Sequence, residues 1–140
     1  MKTRIAIVAV ALLIAVQAGF SKTPTKRFPT LESKVEYAKK NMNIALHMGN
    51  AGVIESALRM TAQIKMKFQD TDVSDLKEMI NEMAINHPSA AIRYKAYIAS
   101  EICSDPQWYA LDQNVVTADQ EHFFPAAAKR LQQKLLSSTY

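Results

Sequence analysis

Residues 89–103 read Ser89-Ala90-Ala91-Ile92-Arg93-Tyr94-Lys95-Ala96-Tyr97-Ile98-Ala99-Ser100-Glu101-Ile102-Cys103. Ile92, Ala96, Ala99 and Cys103 step by four, three and four, which places them on one face of a helix. Ser89 stands at the N-cap, where a side-chain oxygen accepts from backbone N–H groups that lack a helical partner. Upstream lies Asn86-His87-Pro88. A proline disfavours helical geometry in the residue before it, so a preceding helix stops there. Downstream, Asp105-Pro106 ends the stretch and begins a single turn carrying Trp108 and Tyr109.

The same period extends in both directions. Leu76, Met79, Ile80 and Met83 follow the i, i+3, i+4, i+7 template, with Asp72 or Ser74 as the cap. A helix over about 51–68 buries Val53, Ala57, Ile64 and Phe68, with Leu58 and Thr61 beside them. Before it, Thr30 caps a helix whose stripe is Leu31, Val35, Ala38, Met42 and Ala45. Glu32 faces the positive end of that helix. Gly49 is expected in the left-handed conformation that closes it, and Asn50 caps the next. Connections this short make neighbouring helices antiparallel. Residues 110–118 read as irregular. A last helix spans about 119–136 with Phe124, Ala128, Leu131 and Leu135 as its stripe, and Pro125 marks either its start or a kink. No stretch alternates as a strand does. The expected class is all-α, built of antiparallel hairpins from about five helices.

Two of these helices echo each other at an offset of 39 residues. Asn50, Val53 and Ala57 align on Ser89, Ile92 and Ala96; Thr61 then meets Ser100, and Ile64 meets Cys103. A small residue four positions after a β-branched one lets a neighbouring helix approach closely. Ser89, Ile92, Arg93 and Ala96 resemble the second helix of HEAT-like repeats, roughly Asp-x-x-Val-Arg-x-x-Ala. Asn50, Val53 and Ala57 match more loosely, with Ile54 at the Arg position, and the resemblance covers about residues 30–104. The chain is also similar to small exported bacterial helical proteins of no assigned activity. HEAT-like repeats imply protein–protein binding through a helical surface. Two repeats are fewer than the three or so a solenoid needs. The last helix then caps the open end, or the chain forms a homodimer; the rival arrangement is an irregular helical bundle.

The first residues differ in kind. Lys2 and Arg4 precede an apolar run of 12 residues, Ile5 to Val16, and a small-residue exit at Val16-Gln17-Ala18. This is the pattern of a secretory signal peptide over residues 1–18, cut after Ala18. The rival is an uncleaved anchor, but a spanning helix wants about 20 apolar residues and Gln17 interrupts too early. Residues 19–29 carry Pro24, Pro29, Lys22, Lys26 and Arg27 without periodicity and read as a flexible linker to a single domain over 30–140. A periplasmic or secreted protein follows, with no stable membrane anchor after cleavage.

Composition sets further bounds. The chain has 140 residues, 49% apolar and 21% charged, a globular balance. Without the leader, 122 residues carry 15 basic and 13 acidic side chains, so no electrostatic case for nucleic acid remains. One Cys excludes an internal disulfide framework. Cys103 sits in the stripe of its helix and reads as buried; a nucleophile and an intermolecular disulfide are the other two readings. His47, His87 and His122 fit no local metal motif. Met42, Met79 and Met83 belong to core stripes, whereas Met60 and Met66 lie off the main stripe and could line a partner groove. Asp70, Asp72 and Asp75 lack the spacing and turn glycine of a calcium loop and read as helix capping. No phosphate loop and no nucleophile elbow occur. The reading is therefore non-enzymatic, with no cofactor and no metal.

One group combines arginine with aromatics, the residue types that dominate binding hot spots. Arg93, Tyr94 and Tyr97 lie within one turn, and Trp108 and Tyr109 follow. These five are the expected protein-binding surface, the alternative being that the tyrosines pack on residues 105–116 and Arg93 supports the fold. The expected function is binding of an unidentified protein partner through a helical surface. A small-molecule or metal carrier built on a helical bundle is the other possibility.

Overall fold

A computed structural model describes residues 30–138, so the expected signal peptide and linker of residues 1–29 lie outside the described residues. Among the described residues seven helices follow in order: α1 (Leu31–Leu46), α2 (Ala51–Lys67), α3 (Ser74–Asn86), α4 (Ala90–Ser104), α5 (Pro106–Ala110), α6 (Gln113–Val116) and α7 (Phe123–Ser137). No strand occurs among the described residues, and adjacent helices pack as an all-α bundle. The five expected helices are the five long ones; α5 is the turn foreseen at Trp108, and α6 replaces the irregular segment. The chain divides into two units, Met1–Ala38 and Lys39–Tyr140.

In the first unit, the described residues are the opening turns of α1. The Thr30 hydroxyl oxygen accepts from Ser33 N at 3.1 Å, the expected N-cap. Val35 and Ala38 are buried, but Leu31 is exposed.

In the second unit, α1 ends without the left-handed glycine. His47 N and Met48 N donate to the carbonyls of Ile44 and Ala45, both at 3.1 Å, and the His47 ring contacts the Asn43 carbonyl at 2.8 Å. These tight three-residue bonds satisfy the last carbonyls, so Gly49 keeps an ordinary φ. The buried stripe closes on Leu46 rather than Ala45.

Asn50 caps α2 by accepting from Gly52 N and Val53 N at 2.9 and 3.2 Å. The Ser89 hydroxyl does the same for α4 at Ile92 N. The two ends of the 39-residue echo thus start alike, and Ala57, Thr61 and Ile64 are buried as Ala96, Ser100 and Cys103 are. One register position departs: Ile54 is the buried residue and Val53 is half-buried. Met66 is also buried, which removes it from any partner groove, and Phe68 is only half-covered. Thr61 donates to the Ala57 carbonyl at 2.8 Å with the Met42 sulfur 3.3 Å away, so its hydroxyl is satisfied inside the core.

The Asp72 carboxylate accepts from Ser74 N at 2.9 Å and from the Ser74 hydroxyl at 2.5 Å, fixing the turn into α3. Lys65 closes the loop ahead of it by donating to the carbonyls of Gln69 and Thr71 at 2.5 and 2.8 Å. Residues 87–89 then join α3 to α4. Arg93 Nη1 donates to the His87 and Pro88 carbonyls at 2.7 and 3.0 Å, placing a cation at the negative end of α3.

The centre of this unit is α4, which packs against α2, α3, α5 and α7. Its expected stripe of Ile92, Ala96, Ala99 and Cys103 is buried, and so are Ile98, Ser100 and Ile102. A helix covered on most sides loses the single apolar stripe and becomes apolar nearly all round. Ala96 and Ala99 are fully covered, as the close approach of neighbours requires. Across to α2, Lys95 reaches Glu55 at 2.5 Å and stands 5.6 Å from the Phe124 ring centre of α7.

α7 begins later than the sequence suggested. Asp119 accepts from Glu121 N and His122 N at 3.1 and 2.9 Å, so residues 119–122 form a turn and the helix starts at Phe123. Pro125 falls in the first turn, where its missing N–H has no helical partner to lose. The buried face is Phe123, Phe124, Ala127 and Leu131; Leu135, expected in the stripe, is 53% exposed. Phe123 and Phe124 meet edge to face at 5.2 Å.

Candidate functional site: the outer face of α4

Every buried position of α4 leaves one strip uncovered. Tyr94 and Tyr97 are three residues apart on it and remain 55% and 45% exposed. Half-covered Glu101 continues the strip one turn on. Two large aromatic side chains on the outside of the most enclosed helix are held by a rigid support, because Ile92, Ala99 and Cys103 on the opposite side of that helix are buried. A tyrosine offers apolar area and a hydroxyl at small entropic cost, which suits it to contact another surface.

The other three residues of the expected surface serve the fold. Arg93 is committed to the two carbonyls of the α3–α4 turn. Trp108 is half-buried and clasps α7. Its indole Nε1 donates to the Arg130 carbonyl at 3.3 Å, while Arg130 Nε and Nη2 donate to the Trp108 carbonyl at 3.1 and 3.0 Å. The guanidinium lies 3.9 Å from the indole ring centre. Lys134 adds an ion pair to Asp105 at 3.1 Å.

Tyr109 must be removed from the surface set: it is 0% exposed. Its position at the α5 turn brings the ring inward beneath α2 and α4. The phenol oxygen is buried without a hydrogen-bond partner. Burial, then Glu101, Asp105 and Tyr97, push its ionisation upward, against a smaller pull from Arg130. Arg59 Nε is also buried without a partner, although Arg59 Nη1 donates to Gln63 Oε1 at 3.1 Å.

Among the described residues, no group of three or more His, Cys, Asp or Glu side chains could hold a metal ion. Cys103 is a buried free thiol whose pKa burial pushes up to about 11 against weaker pulls from Lys77 and Lys65. That is the opposite of the activation a nucleophile needs. His122 and Asp119 form an exposed pair at 2.7 Å at the start of α7. The hydrogen bond and charge of Asp119 raise the His122 pKa, and bonds from the His122 backbone and ring lower that of Asp119. Among the described residues, no helix is long and apolar enough to cross a membrane.

The sequence singles out Tyr94 and Tyr97, which the fold leaves exposed, but it does not reveal the Trp108–Arg130 clasp. Arg130 lies off the apolar stripe of its helix, and the clasp runs through the backbone carbonyls of Trp108 and Arg130, which every residue carries. No protein-family model matches the chain, and no significant match is found among curated proteins or solved structures.

Proposed function

We propose that this chain is an exported, non-enzymatic protein that binds another protein through the outer face of α4, centred on Tyr94 and Tyr97. The observation that carries the reading is the exposure of these two tyrosines, three residues apart, on a helix that is otherwise enclosed. The repeated cap-and-small-residue pattern of α2 and α4 supports a HEAT-like pair of hairpins, an architecture whose helical surfaces bind proteins. Export rests on the charged start, the short apolar run and the small-residue exit within residues 1–18.

The test is site-specific photocrosslinking in cells of the source organism. A photoreactive phenylalanine analogue at position 94 or 97 gives one discrete adduct, while the same group at Glu78 or Gln132, both exposed, gives none. Equal, diffuse adducts at all four positions contradict the proposal. An adduct at twice the chain mass replaces the separate partner with a second copy.

A further inference from the structure

We draw no further inference here: the strongest candidate, the exposed strip of Ile44 and Met48 at the end of α1, is an unpartnered apolar face, and nothing in the structure shows what covers it.

Discussion

Replacing Tyr109 by phenylalanine removes a single oxygen from a fully enclosed site. That oxygen has no hydrogen-bond partner in the folded protein, whereas water satisfies it in the unfolded chain. Leaving a buried hydroxyl unpaired costs about 1–3 kcal/mol. The ring, and with it the apolar contact, is retained. Tyr109→Phe is therefore expected to stabilise the protein by about 1 kcal/mol, which corresponds to a rise of about 4 °C in Tm for a domain of this size. Urea titration followed by far-UV circular dichroism measures the change. A second readout is alkaline pH. The phenol ionises above its ordinary value of 10.0 in the fold, so the unfolded chain releases that proton first. Stability of the parent then falls as pH rises above that value, with a slope approaching about 1.4 kcal/mol per pH unit for one proton. The Phe variant loses this contribution, and its advantage over the parent widens between pH 9 and 11. Destabilisation by Tyr109→Phe at neutral pH would refute the reasoning, since it would mean that the hydroxyl makes a bond in the folded state.

Other perturbations separate the elements of the bundle. Arg130→Ala removes two hydrogen bonds to the Trp108 carbonyl, a third to Gln133 Oε1 and the stacking on Trp108, and is expected to cost about 2 kcal/mol in urea denaturation, with Arg130→Lys recovering less than half because an ammonium lacks the planar fork. Moving the Cys103 pKa from 9.0 to about 11 lowers its thiolate fraction at pH 8 about a hundredfold, so an aromatic disulfide reagent should label it at least that much more slowly than in the urea-unfolded chain. Labelling at comparable rates in the two states would place the thiol outside the core. For His122, proton NMR titration should give a pKa above 6.5 that falls when Asp119 becomes Asn. The raised histidine value means the histidine's contribution is complete below pH 6.5 and is lost as pH rises through the folded pKa. The lowered carboxylate value means a second contribution that is present above 3.8 and lost as pH falls through the folded pKa.

The helices were legible because their signals are local. Caps at Thr30, Asn50 and Ser89 lie within three residues of the N–H groups they satisfy, and Pro88 and Pro106 act on their immediate neighbours. Stripe membership was less legible. Val53 and Ile54 are adjacent and both β-branched, so their order cannot say which turns inward. Leu135 continues the period of α7, yet it ends more than half exposed. The centrality of α4 was present as apolar content: Ile98 and Ile102 extend the buried arc beyond the stripe of Ile92, Ala96, Ala99 and Cys103. That width signals enclosure on several sides, which a single-stripe reading discards. The candidate face was half legible. Composition marked five residues, but which of them faces outward depends on the fold. Tyr109 points inward because the Asp105 cap and Pro106 turn the chain back on itself at α5.

α4 is the enclosed centre of the second unit, with Tyr94 and Tyr97 on its open strip. Residue-resolved amide hydrogen exchange of the folded chain tests this directly. Amides of residues 96–103 should exchange slowest of all, at rates set by global unfolding, and well below those near the end of α7. Protection at 96–103 no greater than at residues 132–137 would contradict it.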